Sequence, residues 1–433
     1  MTATATAIRI LRGRTVYFRD DPRMKDAVAA QDDGAVVIAA DGRIAWSGPF
    51  DDLPDSYASL DVDHYPGKII MPGFIDAHVH FPQHRMIAAP AKDLLQWLNR
   101  FAFQEEAQYG DEAYAAKAAE AFLDKLIHHG TTSALAFSSV HKGAADCLFR
   151  AAQARGMAMI TGKTMMDRNA PDAVLDTAET GARDSADLIA AWHGVDRLRY
   201  AITVRFAVTS TEAQLRAAGE LYQAHPDCLM HTHISESAGE IDAVKQQFPW
   251  SKDYTDVYDR FGLLGGHSVF AHGIHLSERE CQVMHEAGAT VVHCPTSNNF
   301  LGSGLFDIDH LRAPGRPVKV GLATDVAGGT SFSMLQTLAE AYKVAMLKGR
   351  KLTAFDGFYL ATLGNARALG LEGEIGTLQP GAWADVVVLD PGATEVLAAR
   401  NELSESLEDT LFALMMLGDD RAVQAVYIKG NQQ

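Results

Sequence analysis

The chain has 433 residues, enough for one large barrel with an accessory domain or for two or three average domains. Its composition, 47% hydrophobic and 21% charged, is typical of a globular protein that buries a full core. With 55 acidic against 38 basic residues and a net charge of −17, the sequence argues against nucleic acid or an anionic membrane as the main partner.

The cysteines and the N-terminus indicate a compartment. The four cysteines are scattered and form no C-x-x-C pair (Cys147, Cys228, Cys281 and Cys294). This spacing predicts neither a disulfide framework nor a cysteine zinc site, and free thiols fit a reducing cytoplasm. The first residues lack the pattern of a signal peptide, and no apolar stretch is long enough to span a bilayer. We therefore expect a cytoplasmic protein.

The first 69 residues predict a small unit of short strands joined by turns. Residues 8–18 form one strand candidate. Residues 35–40 and 43–46 flank the dipeptide Asp41-Gly42, which favours a β-hairpin. No helical period of useful length occurs before the 90s.

From residue 70 onward, apolar strand candidates alternate with helical stretches. The eight strand candidates are residues 70–80, 132–137, 157–163, 199–206, 228–234, 268–273, 289–293 and 318–324. This alternation predicts an α/β fold, a (β/α)8 TIM-like barrel rather than an open sheet. No G-x-G-x-x-G or Walker loop follows any strand, which argues against a nucleotide-binding fold.

The connection between the first two strands is far too long for one crossover. We expect it to hold an extra helix near residues 94–106 and a loop that could cover the barrel mouth. Further helices are predicted over residues 111–129, 211–225 and 277–287. The last two begin at a hydroxyl residue suited to an N-cap.

After residue 370 the pattern returns to strands. Residues 373–390 predict two short strands about the turn Gln379-Pro380-Gly381, and residues 404–417 predict a helix. A last strand is predicted over residues 422–429. Because both ends of the chain are β-rich, we assign residues 1–69 and 371–433 to one small β-rich domain. Residues 70–370 then form the catalytic barrel domain.

Polar residues collect where the predicted barrel strands end. His78 and His80 are two residues apart on a strand and therefore share a face, although an isolated pair of this kind is more often structural. Barrel enzymes place their working residues at the C-terminal ends of the strands. Four more such residues lie at or just after the ends of strands five, six and eight: His233, Glu236, His272 and Asp325. Their joint placement favours a metal site.

The residue types assign roles at this rim. His78, His80, His233 and Asp325 can bind one Zn²⁺ or Fe²⁺ and leave a position for water. Metal binding lowers the pKa of that water toward roughly 7, so that hydroxide can form at neutral pH. Glu236 lies three residues past a ligand and can move protons. His272 could orient or polarise the water.

Several neighbours have competing interpretations. A lysine at the end of strand four would favour two metals, but Lys163 ends strand three and Arg205 ends strand four, so we favour one metal. His231 shares the strand parity of His233, and only the H-x-x-E context favours His233 as the ligand. Asp76 is expected to support the ligands by hydrogen bonding. Structural or supporting roles are expected, rather than metal ligation, for His84, His275 and His293, with substrate contact as a further alternative for His84. Trp97 and Phe101 are expected in the core, with lid lining as the alternative.

These motifs resemble the amidohydrolase superfamily and, within it, the guanine deaminases. The matching segments run from Met71 to Leu335 and include M-P-G-F-I-D-A-H-V-H-F-P-Q, V-R-F-A-V-T-S-T, H-T-H-I-S-E, F-A-H-G-I-H-L-S, H-C-P-T-S-N and G-L-A-T-D-V-A-G-G-T-S. H-x-H-x-P-Q together with R-F after strand four is the more specific pair. Val204 stands where this family would have proline, and Ala323 where it would have glycine.

The resemblance implies a reaction and a role for each matching residue. Zinc, one ion per subunit, would be held by His78, His80, His233 and Asp325. Glu236 would shuttle a proton to the purine ring, and Asp325 would take one from water. Guanine would be recognised by Gln83, Arg205 and Phe206.

The implied reaction is hydrolytic deamination of guanine at C2 to xanthine and ammonia by a cytoplasmic homodimer, in purine catabolism or salvage. The first alternative is a related deaminase acting on 8-oxoguanine, cytosine or a triazine. The zinc deaminases with H-x-E and P-C-x-x-C are set aside because neither half is present in that arrangement. A non-catalytic relative is disfavoured because no metal ligand is missing.

Overall fold

The computed structural model describes residues 7–91 and 94–433 of the chain. Its first part is four strands: β1 (Ala7–Phe18), β2 (Val28–Ala39), β3 (Ile44–Pro49) and β4 (Val62–Pro72). The predicted first strand and the hairpin around Asp41-Gly42 are confirmed, because β2 pairs antiparallel with both β1 and β3.

The predicted eight-stranded parallel barrel is confirmed. Its strands are β5 (Phe74–His80), β6 (Thr131–Phe137), β7 (Ala158–Gly162), β9 (Leu198–Val204), β10 (Leu229–Ile234), β11 (Ser268–His272), β12 (Thr290–His293) and β13 (Lys319–Leu322), with the two-residue β8 (Thr164–Met165) pairing beside β9. The last and first strands meet just past the end of β13. There Asp325 N donates to His78 O at 3.0 Å, and His80 N donates to Val326 O at 2.9 Å.

One predicted strand was wrong in extent, because residues 70–80 belong to two strands in different sheets. β4 ends at Pro72 in the small sheet, and β5 begins at Phe74 in the barrel. Gly73 lies between them, where a side chain would collide with Thr132. The apolar run hides this break because Ile70, Met71, Phe74 and Ile75 are all buried.

The C-terminal residues complete the small sheet. Its order is β16-β15-β14-β4-β1-β2-β3, where β14 is Val386–Leu389, β15 is Val423–Ile428 and β16 is Asn431–Gln432. The strand predicted before Gln379 is absent from this described sheet. Ile375 instead packs with residues inside the barrel, such as Ile75 and Leu135, so its burial comes from closing the barrel interior.

The helices surround the barrel and cover its mouth. The longer ones are Glu112–His128, Lys142–Ala154, Ala178–Trp192, Glu212–Ala224, Ala238–Gln247, Tyr254–Arg260, Glu278–Ala287, Met334–Leu347, Glu395–Asn401 and Leu407–Leu417. The shorter ones are Pro295–Phe300, Ile308–Leu311, Ala354–Tyr359 and Asn365–Ala368, the last two joined by a π-turn over Leu360–Gly364. Among residues 7–91 and 94–433, no helix is both long and apolar enough to cross a membrane.

The predicted caps and the predicted extra helix are confirmed. The side chains of Thr211 and Ser277 accept hydrogen bonds from backbone N–H groups in the first turns of their helices, which stabilises those ends. The extra helix consists of Leu94–Trp97 and Phe103–Ala107, joined by a π-turn over Leu98–Ala102. We call this unit the cover helix, because it lies over the C-terminal rim of the barrel.

Candidate functional site

A cavity of about 400 Å³ opens at the C-terminal rim, between the strand ends and the cover helix. Every residue predicted for the site lines it except His78, which is fully buried just beneath it. Leu94, Trp97 and Leu98 of the cover helix form an apolar wall. Trp97 is both core and lining, since it is 3% exposed and faces the cavity.

Three histidines from two strands bring their ring nitrogens together. His78 and His80 come from β5, and His233 comes from β10. One ring nitrogen from each lies within 4.8 Å of the other two. Nε2 of His80 is 3.1 Å from Nε2 of His233. Asp325 adds an oxygen, because its Oδ1 is 3.2 Å from Nε2 of His78 and 3.4 Å from Nε2 of His80.

Hydrogen bonds on the outer side fix the tautomer of His233. Its Nδ1 lies 2.7 Å from the carbonyl oxygen of Arg205, which can only accept a hydrogen bond. Nδ1 therefore carries the proton, and a neutral ring then has a free lone pair on Nε2. Nε2 of His78 is buried and has no hydrogen-bond partner among the described residues. Such inward-facing donor atoms fit a divalent cation such as zinc.

Burial sets the charge state of these histidines. It lowers the pKa of His78, His80 and His233 well below the usual histidine value, and neighbouring histidine rings lower it further. The rings are therefore neutral at pH 7. Neutral imidazole is the form that ligates metals.

A second overlapping group contains His78, His272, Cys294 and Asp325. Cys294 was not predicted at the site. Burial holds the pKa of its thiol well above the usual range, so the sulfur stays protonated, and Sγ faces the carbonyl oxygen of Val292. A protonated thiol is a poor ligand, which favours the histidines and Asp325 as the donors.

Glu236 and His272 form a second pair beside the histidine cluster. Nε2 of His272 is 3.4 Å from Oε2 of Glu236 and 3.8 Å from Oδ2 of Asp325. Burial raises the pKa of Glu236 to about 7. Ser303 Oγ donates to Oε1 of the same carboxylate at 3.0 Å. Glu236 can therefore gain or lose a proton near neutral pH, as a proton shuttle requires.

His272 is held by its other ring nitrogen. Nδ1 lies 2.9 Å from the side-chain oxygen of Asn298. Burial lowers the pKa of His272, but the charges of Glu236 and Asp325 raise it, and the net pKa is above the usual value. Both His272 and Asp325 have a left-handed backbone, with φ of 73° and 49°. Such strain in residues other than glycine is concentrated at functional sites.

A second part of the cavity lining, the recognition wall, contains the residues predicted to recognise a substrate. Gln83 follows β5, while Arg205 and Phe206 follow β9. Between them lies Glu106 of the cover helix, which the sequence did not single out. Its carboxylate accepts from Gln83 Nε2 at 2.6 Å and from Arg205 Nη1 at 2.6 and 2.9 Å.

Val204 leaves the backbone around Arg205 regular. It is fully buried at the end of β9, and the next residue, Arg205, donates its backbone N–H to Met165 O at 3.1 Å. Lys163 does not line the cavity, because its ammonium pairs with Asp176. The described cavity lining therefore contains no lysine that could bridge two metals.

The remaining candidates support the site or lie outside it. His231 Nε2 is 2.8 Å from Nδ1 of His78, so it contacts that ring from the outer side. Asp76 accepts from Thr324 Oγ1 and from the backbone N–H groups of Thr324 and His78, which ties β5 to the end of β13. The other rim histidines do not line the cavity: His84, His275 and His293.

Sequence reasoning missed Glu106, Asn298 and Ser303. Asn298 lies within H-C-P-T-S-N, so its place in a quoted motif was the only available signal. Glu106 ends the predicted extra helix, and a buried acid facing the barrel cannot be told there from a solvent-facing one. Ser303 lies in a loop with no periodic pattern.

The comparisons with known proteins agree with this geometry. The Amidohydrolase family pattern matches residues 69–432. Guanine deaminase of Escherichia coli (strain K12) is 45% identical over 416 residues, which cover 95% of this chain and 93% of that protein. The structure of guanine deaminase from Bradyrhizobium japonicum is 38% identical, with a TM-score of 0.95 over 99% of both chains.

A third relative has a ligand. The structure of guanine deaminase from C. acetobutylicum, with bound guanine in its active site, is 29% identical and covers 98% of this chain and 99% of its own, with a TM-score of 0.89. Since the family match spans more than half of the chain and the relatives align over nearly all of it, the chain belongs to the amidohydrolase family, among its guanine deaminases.

Proposed function

We propose that the protein catalyses the hydrolytic deamination of guanine at C2, giving xanthine and ammonia. The observation that carries this proposal is the pairing of two walls in one cavity, in a chain 45% identical to a guanine deaminase. One wall holds the neutral histidine cluster, and the other holds Gln83 and Arg205. The protein is a hydrolase that acts on C–N bonds.

His78, His80, His233 and Asp325 would hold one Zn²⁺ per subunit, with Fe²⁺ as the alternative. The lone pair of His233 Nε2 and the unpartnered Nε2 of His78 support this assignment. A metal bound there supplies Lewis-acid activation of water. Asp325 lies within reach of His78, His80 and His272, so its carboxylate can also take a proton from that water.

Glu236 moves the proton between water and the purine. Because its pKa is about 7, the carboxylate can accept a proton and pass it to a ring nitrogen without a large penalty in either direction. Ser303 holds one carboxylate oxygen at 3.0 Å. His272 faces the other oxygen and is itself oriented by Asn298, so the proton is exchanged at a fixed position.

Arg205, Gln83 and Phe206 bind the purine. The guanidinium of Arg205 donates to the carbonyl oxygen of guanine, and Gln83 bonds to the ring edge. Phe206 is 4% exposed and gives the base an apolar contact surface. Leu94, Trp97 and Leu98 of the cover helix add an apolar surface to the cavity in which the base would lie.

Location and assembly stay predictions. The described residues contain four free cysteines, which fits a reducing cytoplasm. The homodimer is implied by the family resemblance, and size-exclusion chromatography with light scattering measures it directly.

The proposed function is tested by measuring ammonia release from a panel of bases with purified, metal-loaded protein. We expect guanine to give xanthine and ammonia with the highest kcat/KM among guanine, 8-oxoguanine, cytosine and a triazine. Turnover of another base while guanine stays inert would overturn the substrate assignment and favour the related deaminase. Metal analysis of the same sample checks the zinc assignment against iron.

A further inference from the structure

The carboxylate of Glu106 is the shared partner of two substrate-facing side chains. It is 1% exposed and belongs to the cover helix rather than to the barrel. Gln83 and Arg205 both donate to it, as described above, with distances of 2.6 to 2.9 Å. Through Glu106 the cover helix is therefore joined to both recognition residues.

This contact fixes which end of the Gln83 amide faces the cavity. An ionised carboxylate only accepts hydrogen bonds, so the amide NH₂ of Gln83 has to face Glu106. The amide oxygen then points away from Glu106. No residue in the described ranges donates a hydrogen bond to this oxygen, and Gln83 lines the cavity. The cavity therefore presents an acceptor at this position.

The same carboxylate leaves Arg205 with donors for a substrate. Both bonds to Glu106 use the Nη1 nitrogen alone. The side chain of Phe103, also in the cover helix, lies against the guanidinium with 5.2 Å between Cζ and the ring centroid. Among the described residues, none accepts a hydrogen bond from the remaining guanidinium nitrogens, and Arg205 lines the cavity, so we infer that these nitrogens are available as donors to a substrate.

We propose that Glu106 is a positioning residue that sets the donor and acceptor pattern of this wall and so selects a 6-oxopurine over a 6-aminopurine. This inference rests on the proposed function. Guanine offers a carbonyl acceptor at C6 and a ring N1–H donor beside it, which match the donor of Arg205 and the acceptor of Gln83. A 6-aminopurine reverses both groups, with a donor amine at C6 and a bare acceptor at N1.

The mismatch is costly because the wall is buried. Leaving a buried hydrogen-bond donor or acceptor without a partner costs the full desolvation penalty of that group. Sites built to hydrogen-bond a substrate reject analogues that lack the matching group by large factors. The Glu106 carboxylate prevents the amide of Gln83 from turning over to match the reversed pattern. After such a turn, the NH₂ of Gln83 would lose its hydrogen bond to Glu106, the only acceptor described for it.

The experiment compares guanine with 2,6-diaminopurine, which has the same C2 amino group to be released but an amine at C6. We expect the wild type to favour guanine by at least about 100-fold in kcat/KM. In Glu106→Gln the NH₂ of the new side chain faces Gln83. The amide of Gln83 must then turn so that its oxygen accepts from this NH₂, and its own NH₂ faces the substrate. The guanine preference should fall at least about tenfold, mostly through KM, with bound metal unchanged.

Two further variants separate positioning from general damage. Glu105→Gln changes the neighbouring acid, which bonds to Gln108 and Tyr114 instead of the recognition residues, and should keep the wild-type preference. Glu106→Asp keeps an acceptor-only side chain, so it should weaken guanine binding yet keep the preference. If Glu106→Gln failed to fold, equal use of both purines by the wild type would still overturn the proposal, because it contradicts a fixed pattern.

The outcomes distinguish this inference from the function on which it rests. If the wild type does not deaminate guanine, the proposed function fails. If the wild type does so, but folded, metal-loaded Glu106→Gln keeps the wild-type ratio between the two purines, the function stands and the role of Glu106 is wrong. Loss of preference in Glu106→Asp equal to that in Glu106→Gln would also overturn it.

Discussion

The two walls of the cavity are built in opposite ways. On the histidine wall, ring nitrogens face one another and Asp325, and Nε2 of His78 has no hydrogen-bond partner among the described residues. On the recognition wall, the buried charges of Arg205 and Glu106 neutralise each other. A wall whose ring nitrogens offer free lone pairs suits a cation, whereas a wall whose charges are already paired suits a neutral base. Both walls are buried, and we expect burial to serve metal binding on one wall and recognition of the base on the other.

The carboxylates show the difference most directly. Glu106 bonds to a cation and an amide at 2.6 to 2.9 Å. Glu236 faces Ser303, His272 and the nearby acids Glu240 and Asp325, and burial raises its pKa to about 7. A carboxylate used for positioning needs a permanent charge, and one used to move protons needs a pKa near the working pH.

Removing a ring from the histidine wall should have the largest effect. His233→Ala deletes the nitrogen whose lone pair faces His80, so we expect loss of bound metal and a fall in kcat/KM of more than about 10⁴, beyond the contribution of one acid–base group. Metal analysis and ammonia release measure both. His285→Ala changes a half-buried histidine whose Nδ1 faces the carbonyl oxygen of Pro317 away from the cavity, and it is the control. A metal-free His233→Ala protein with wild-type turnover would show that the reaction does not need a metal held by the histidine wall.

A smaller effect is expected when only proton transfer is removed. Glu236→Gln keeps the shape but cannot accept a proton, so turnover should fall about 10²–10⁴-fold while the metal content stays unchanged. Steady-state kinetics with metal analysis checks this. Glu278→Gln, which changes a glutamate paired with Arg316 away from the cavity, is the control. Near-full activity in Glu236→Gln would assign proton transfer to another group.

The smallest effect is a shift in pH dependence. Below about pH 7 the Glu236 carboxyl is protonated and cannot accept a proton, so kcat/KM should fall as the pH drops through 7. The hydrogen bond from Ser303 favours the ionised carboxylate. Ser303→Ala should therefore raise the pKa of Glu236 and move the acidic limb upward by about 0.5 to 1 pH unit.

Asn299→Ala is the matched control for this shift. Asn299 lies in the same segment and also donates to a carboxylate, but its partner is Glu340, away from the cavity. Its pH profile should equal that of the wild type. An acidic limb that stays in place in Ser303→Ala, or that moves equally in Asn299→Ala, would mean that Ser303 does not tune Glu236.

The two walls also differ in how far the sequence could predict them. His78, His80, His233, His272 and Asp325 each lie at the C-terminal end of a barrel strand. The strand pattern alone therefore places them on one rim, and the structure brings them together. The hydrogen-bond partners of their rings could not be predicted, because these depend on side chains from other strands.

The recognition wall depends on the cover helix, whose position on the rim the sequence does not determine. The helix itself could be predicted near residues 94–106, but helical period does not show which face meets the barrel. From the sequence, Glu106 is therefore indistinguishable from an ordinary surface acid. Only the structure shows that it contacts Arg205 and Gln83. The break at Gly73 was hidden for a related reason, since both flanking strands are buried.

We propose that the histidine wall holds one metal ion on which guanine deamination depends. The most direct measurement is a titration of Zn²⁺ into protein stripped of metal, with xanthine formation and bound zinc followed together. We expect activity to rise in proportion to bound zinc and to reach a plateau at about one ion per chain. Full guanine deamination by the metal-free protein, or by protein that binds zinc without gaining activity, would contradict it.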